Sequence, residues 1–598
     1  MPALPTFKGR CFERDVTAGY REHAYQYATT SRPAAEMSPA LVVFVADDDD
    51  IVKAIEYARA HKIGVAVRSG GHQYIGSSSA GGDNIQIDLS GRLAAHPALY
   101  PYRQHFIDEA ERSITLGAGL SVDDVCDLSI AHGIFFPHGE CCGVHVGGHS
   151  QTGGFSVITP TFGVMIDFVL RFDIILPDGT KRTVRTDSDD PLDKDLRFAV
   201  FGGSPGNFGV VTSITVRYLL DSDFPESRCF KAAWVYRKET LQELVQIVNE
   251  INDDPERYPD FGLSVMALGS EFDKETKWLH LEPETFDDEM QKRHPELVGS
   301  DRFHWLVPGI VVYGVWTNSK GAGQYDDAVK EVFDRFKRVG WMMPSFLVNK
   351  LFPSDDLNDA SKPMAMSKIL QALTFENPRE FNLSAKKLAW FGKNTTSMSK
   401  PNDQLGGKTF AEWAADKVSE IECITGLFKY RSMRAAIQVG MLGGQGLTRG
   451  YKYKDPRGHE HQNEPTTALS HRDCNYWFAF DIFYNPNVKG AYEKTIAFTD
   501  ALAAEVMNNK IGLWEDGRER RLMLGPMLIS TETAVLDYQW KLYFDDQPTY
   551  ERLLAIKASL DPDHVFTPNL FCVGATTCAR FQHQLPPPPP GTEILTAR

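Results

Sequence analysis

Residues 41 to 72, LVVFVADDDDIVKAIEYARAHKIGVAVRSGGH, open on an unbroken apolar run and continue with apolar positions three and four apart. The run Leu41 to Val45 suits a buried strand, and the aspartates after it stand where the positive end of a helix dipole favours acids. Ile51, Ala54, Ile55 and Ala58 then share one helical face, so the pattern predicts strand, helix, strand. Asn84 to Leu89 alternates as a further strand, and SITLGAGLSVDDVCDLSIAHGIFFPHG repeats strand, glycine turn, acid-started helix and strand. To about Tyr218 the chain reads as mixed α/β.

From Cys229 to about Leu528 the character changes. Trp and Tyr become frequent, Asp326 to Arg338 reads as a charged helix, and TALSHRDCNYWFAFDIFY alternates like a long strand with one covered face. An antiparallel sheet backed by helices is the expectation. Near the end, YERLLAIKASLDPDHVFTPNLF reads as a helix stopped at Asp561 and Pro562, then an extended segment. PPPPP at 586 to 590 reads as a stiff polyproline tail.

A length of 598 residues exceeds what one hydrophobic core organises, so two domains or interleaved lobes are expected. A net charge of -16 argues against a nucleic-acid or anionic-membrane partner and favours a small molecule. The opening MPALPTFKGRCFERD has no signal-like apolar run, and no stretch is long enough to span a bilayer, so a cytoplasmic protein, monomeric by default, is the expectation. The 9 cysteines are odd in number and scattered, except for the adjacent Cys141 and Cys142, which does not suggest a disulfide framework. The sequons at Asn382 and Asn394 matter only in a secreted chain.

Candidate chemistry lies in three glycine-rich segments: RSGGHQYIG from Arg68 to Gly76, GECCGVHVGGHSQTGGFS from Gly139 to Ser156, and GGSPGNFG from Gly202 to Gly209. Such loops turn with positive φ and leave backbone N–H groups facing an anion, so three of them suggest one extended ligand of dinucleotide length. The plain alternative for His72 is a turn histidine facing water, and for Cys141 a small buried apolar side chain.

With GVMIDFV before LPDGT, and with YERLLAIKASLDPDHVF near the end, these segments form an ordered set. In that order and spacing the chain resembles the vanillyl alcohol oxidase superfamily of flavoproteins, with an FAD-binding domain of the PCMH type, and within it the berberine bridge enzyme-like branch. The resemblance covers the first 216 residues and the C-terminal stretch, and the middle only around TALSHRD. It implies an α+β fold in which residues 1–222 and 529–598 make a two-lobed FAD-binding domain. Residues 223–528 would then be a substrate-binding domain with a large antiparallel sheet backed by helices.

The resemblance implies FAD with its pyrophosphate on the backbone of Ser69 to His72. Cofactor contacts carried over are Arg68, Ser69, Gly70, Gly71, Gly76, Gly147, Gly148, His149, Gly153, Gly154, Val211 and Asn569, with His149 on the ribityl chain. His72 takes the 8α-histidyl bond and Cys141, six residues before Gly147, the 6-S-cysteinyl bond, with Cys142 a rival thiolate at a position that is usually proline. Two tethers fix the ring and make it a better electron acceptor. Val144 stands where the branch uses a small residue to admit dioxygen, which implies an oxidase forming hydrogen peroxide. His145, Thr152 and Ser156 depart from the branch by replacing glycines.

Three further motifs are set aside. GGSPG fits a serine-hydrolase elbow, but Pro205 lacks the amide an oxyanion hole needs after Ser204. NDQLGGKT from Asn402 lacks the first glycine of a phosphate loop and a preceding strand. His459 and His461 in GHEHQNE read as surface-loop residues, so no metal is expected.

The activity implied is hydride removal from an alcohol, sugar or secondary-metabolite carbon, with dioxygen as acceptor. A proton acceptor is needed, and the tyrosine that relatives carry in Y-x-N-Y is absent from GPMLISTETAVLDY. Strand alternation through HRDCNYWFAF puts Arg472, Cys474 and Tyr476 on one face, making Arg472 and Tyr476 pocket candidates beside the plainer reading of a salt bridge and a packed aromatic. The alternatives are a dehydrogenase using another acceptor, and a non-redox, cyclising or binding member of the fold.

Overall fold

In a computed structural model the chain is described over residues 3–24, 37–73, 78, 81–269, 309–319, 325–342, 357, 360–374, 384–392, 398–424, 433–444, 446, 453–454, 460–461, 467–472, 474–484, 489–507, 521–522, 535–544, 546–588 and 595. The first predicted unit forms as strand Leu41–Phe44, helix Asp48–His61 and strand Val65–Arg68. Asp47 caps the helix by accepting the Asp49 N–H, and Lys62 ends it with a φ of 55°. Ile85–Asp88 lies between the two strands and pairs parallel with both. Arg10–Glu13 adds an antiparallel edge. Helix Val122–His132 starts on a capping box in which Ser121 and Asp124 satisfy each other's backbone N–H groups.

A second, five-stranded sheet runs His105–Asp108, Ser113–Gly117, Val210–Arg217, Val169–Ile175, Lys181–Arg185, with antiparallel pairing throughout. A third, seven-stranded sheet is antiparallel in the order Arg228–Val235, Gly309–Trp316, Phe261–Gly269, Met433–Met441, Tyr476–Tyr484, Ser384–Gly392, Arg521–Leu522. Helices Lys238–Asn252, Asp327–Lys337 and Phe410–Ile424 back it, the second capped by the Asp326 carboxylate. The fold is α+β, with its large antiparallel sheet where the aromatic-rich part of the sequence predicts one.

One hydrophobic core runs from the five-stranded sheet into the seven-stranded one, and a smaller one fills the parallel unit. At the junction Phe135, Phe162 and Phe224 meet edge to face, with centroids 5.3 to 5.6 Å apart. The C-terminal helix Gln547–Leu560 ends at Asp561, as predicted. The buried Asp561 carboxylate accepts from Val565 N, Phe566 N and Lys557 Nζ, while Lys557 also reaches Asn207 O at 2.5 Å. These bonds fasten the end of the chain beneath the third glycine segment.

The long strand expected from TALSHRDCNYWFAFDIFY is shorter, Tyr476–Tyr484. Residues 467–472 leave the sheet because their partners lie elsewhere: Ala468 N donates to Phe198 O at 3.0 Å and Arg472 binds Asp167. In the segments set aside, Asn402 bridges Lys408 and Thr409 caps a helix, while Ser204 is buried at a φ of 99°. Backbone pairing joins Glu460–His461 to Tyr453–Lys454. His459, Asn382, Asn394, Gly76, residues 525–534 and the last two prolines of the polyproline run lie outside the described residues.

Candidate active site

Three loops and one sheet face enclose a cavity of about 220 Å³. The loop after strand Val65–Arg68 gives it Ser69, Gly70, Gly71 and His72, and the segment leading into helix Val146–Gln151 gives Glu140, Cys141, Val144, Gly147, Gly148 and His149. Pro205, Gly206 and Val211 come from the third loop and the strand after it, while Phe155, Gln438 and Trp477 close the far side. Thus all three glycine segments converge, as their composition predicts.

Gly70 is where the first two loops touch. A Cβ there would stand 2.7 Å from the His145 ring and 2.8 Å from Gly143 O, so a larger residue forces backbone to move. Gln151 joins the second loop to the third: its Nε2 donates to Gly147 O at 2.6 Å and its Oε1 accepts from Gly206 N at 3.0 Å. His149 Nε2 accepts the Gly139 N–H at 2.7 Å, which puts the ring proton on Nδ1. Burial, and then the nearby His138, lowers the His149 pKa to about 3, so the ring is a neutral donor at physiological pH.

The sheet contributes a row of side chains that the sequence does not reveal. Lys231 pairs with Tyr313, Tyr313 with Ser264, Ser264 with Gly440 and Gly440 with Trp477 on five successive strands. Directly opposed residues share a face, so these stand side by side toward the second loop. At Gly440 a Cβ would lie 2.2 Å from Trp477 Nε1 and 2.6 Å from Ser264 Oγ, so glycine lets the indole lie across the sheet. Tyr313 donates its hydroxyl proton to Glu140 Oε2 at 2.6 Å.

Burial pushes the Glu140 pKa up to about 7, against the opposing pull of the Tyr313 hydroxyl and the Lys231 charge. The same burial raises the Tyr313 phenol well above its usual range and lowers Lys231 to about 8. Lys231 Nζ donates to Ala372 O at 2.9 Å. Glu140, Tyr313, Lys231 and Trp477 were all missed from sequence, although an acid immediately before Cys141 was a visible signal.

Several expected contacts fall elsewhere. The Arg68 guanidinium does not line the cavity: it is buried against Asp88 at 2.6 Å and donates to His23 O and Ala24 O. Gly153 and Gly154 turn with positive φ against Leu469 and Met165 and so serve packing. Asn569 Oδ1 accepts from Phe571 N in a local turn. Cys141 lines the cavity and Cys142 does not. Of the two pocket candidates, Arg472 makes a bidentate pair with Asp167, at 2.6 and 2.8 Å, and Tyr476 packs on Phe410 of the backing helix. The strand begins only at Tyr476, so Arg472 stands outside it, and the cavity face belongs to Trp477 because the helix Phe410–Ile424 covers the Tyr476 side.

Residues 39–185 match the FAD binding domain family. This part of the chain is similar to FAD-binding domains. An FAD-linked oxidoreductase of Gibberella zeae is 34% identical over 179 residues, 28% of this chain and 28% of that protein. The matched stretches span only 28% to 42% of the length of such curated relatives. Over the whole chain the fold is that of 6-hydroxy-D-nicotine oxidase from Arthrobacter nicotinovorans, with a TM-score of 0.63 at 18% identity, covering 96% of this chain and 99% of that one. A berberine bridge enzyme variant superposes with a TM-score of 0.61 at 16% identity over 94% and 96% of the two chains. The fold is thus similar to that of a berberine bridge enzyme over most of the chain.

The cavity fits FAD. A Cβ added to Gly148 would meet nothing nearer than Ser69 Oγ at 3.9 Å, so backbone edges there face open space rather than packed side chains. Val67, Leu89 and Val211 offer apolar walls between the loops. Among the described residues no group of three or more His, Cys, Asp or Glu is placed to hold a metal, and no helix is long and apolar enough to cross a membrane.

Proposed function

We propose that the protein is an FAD-dependent oxidase whose flavin is tethered through His72 and Cys141. Residues 1–222 and 529–598 would hold the cofactor and 223–528 the substrate. The observation that carries the reading is the convergence of His72, Cys141, Val144 and His149 on one cavity made by the three glycine loops. When bound, FAD supplies a two-electron acceptor that takes hydride from an alcohol, sugar or secondary-metabolite carbon and returns the electrons to dioxygen as hydrogen peroxide. The remaining tasks fall to the chain. Ser69 to Gly71 and Gly147 to Gly148 present backbone to the cofactor, neutral His149 donates a hydrogen bond through Nδ1, and Trp477 with Phe155, 5.4 Å apart, forms an aromatic wall suited to a ring-bearing substrate.

Denaturing gel fluorescence, followed by peptide mass spectrometry on residues 67–82 and 139–156, tests the tethers: flavin mass on His72 and Cys141 supports them. Anaerobic bleaching with a panel of primary alcohols, reducing sugars and phenols, then peroxide assay against dye reduction, tests the chemistry. A protein purified without flavin, or a loaded protein that none of the panel bleaches, sinks the oxidase reading.

A further inference from the structure

We propose that Glu140 is the proton acceptor of the reaction at this cavity and that Tyr313 positions it, an assignment that rests on the oxidase reading. Among the described residues that line the cavity Glu140 is the one carboxylate, next to Cys141 in the chain, and Trp477 and Gln438 line the same cavity. Its Oε2 is held by the Tyr313 hydroxyl and the Val157 backbone N–H also bears on the carboxyl, while Oε1 is buried without a donor in good hydrogen-bond geometry, which leaves an acceptor site for a substrate hydroxyl. The other basic groups on the wall include His145, whose ring is buried against Gly70. His149 is neutral with too low a pKa to keep a proton, and His72 and Cys141 are reserved for the tethers.

The carboxyl also has the right proton affinity. A pKa of about 7 leaves a substantial carboxylate fraction at neutral pH and still gives a base strong enough to hold what it takes. Lys231 and Ser264 face the Glu140–Tyr313 pair from the sheet, and the Cys229 and Cys142 thiols act electrostatically on Lys231 and the Cys141 thiol on Tyr313. Atoms and electrons would balance: the substrate O–H proton would pass to the Glu140 carboxylate, bound FAD would supply the acceptor for the C–H hydrogen and its electron pair, and the carbinol would become a carbonyl. Since Tyr313 and Glu140 come from different lobes, the base is complete only when the lobes are docked.

The test uses the full chain loaded with FAD. Its visible spectrum is recorded from pH 5 to 9 without substrate, and anaerobic bleaching is timed with whichever panel compound bleaches the wild type. Expected is a spectral transition with a midpoint of about 7 that Glu140→Gln abolishes. Tyr313→Phe should move the midpoint upward, because the lost hydroxyl bond favoured the carboxylate. Bleaching should quicken through the same midpoint in the wild type and slow by roughly 100-fold in Glu140→Gln, with flavin content unchanged. Wild-type bleaching in Glu140→Gln, or a wild-type spectrum and rate both indifferent to pH, overturns the assignment. Flavin that no panel compound reduces counts against the oxidase reading instead, and the spectral titration then still decides whether Glu140 ionises beside the ring.

Discussion

Glu140 with Tyr313 and Asp537 with Tyr550 are the same two groups in two surroundings. Asp537 is fully buried, and besides the Tyr550 hydroxyl it accepts from Gly574 N at 2.9 Å, Thr576 N at 2.8 Å and Thr576 Oγ at 2.6 Å. Both oxygens are committed, and the pair ties the returning C-terminal segment to its neighbours. Glu140 has the Tyr313 hydroxyl on Oε2, the Val157 N–H nearby, an Oε1 without a well-aligned donor and a wall of cavity beside it. A buried carboxylate with every lone pair used stabilises structure, whereas one left short of donors is held near its protonation point and keeps capacity to react.

The contrast can be broken by substitution. Asp537→Ala should cost about 3 kcal/mol or more, because it strands the donors now aimed at a charged acceptor; a denaturant midpoint close to wild type would make the two pairs equivalent. Arg472→Met, which leaves Asp167 buried beside the lobe junction, should also cost about 3 kcal/mol. Here the check is differential scanning calorimetry, and the flavin-free form should show the loss as well.

Glu140 should behave in the opposite sense and with pH-dependent sign. Its folded pKa of about 7 lies above the 4.5 of a free carboxyl, so its contribution is whole below about pH 4.5 and is lost as pH rises through about 7. Glu140→Gln should therefore raise the melting temperature at pH 8 relative to wild type and change it little at pH 4.5. His149 sharpens the comparison from the other side: its pKa falls from 6.5 to about 3, so its contribution is whole above pH 6.5 and is lost as pH falls toward 3. His149→Gln should blunt that acid-side loss in the same melting series. The smallest effect expected is Ser121→Ala, about 1 kcal/mol for one helix cap remote from both pairs.

Much of the first lobe was legible because its signals are local. The capped helix Asp48–His61, the helix end at Asp561 and the three glycine loops each depend on residues a few positions apart. Gly70 was legible as a residue that must be small, though not that His145 and Gly143 are what exclude a side chain. Arg68, carried over from the family resemblance, ends a strand and spends its guanidinium on Asp88 of the neighbouring strand, a pairing the motif does not show. Tyr476 falls on the covered face because period-two alternation sorts residues into two faces without saying which one a helix will cover, and Arg472 lies before the strand, paired with Asp167.

By itself, then, the sequence determined the strand–helix–strand order of the first unit, an antiparallel sheet in the aromatic-rich part, the helix end at Asp561 and glycine loops suited to an extended ligand, since these follow from periodicity and turn chemistry within short windows, while the α+β class came from the family resemblance. The tertiary structure alone decided that Glu140 meets Tyr313 across 173 positions of chain, and that Lys231, Ser264 and Trp477 join them in one row. Strand order and register between distant segments fix that row, and burial at the meeting of two lobes sets its proton affinity; both emerge only when the whole chain has packed.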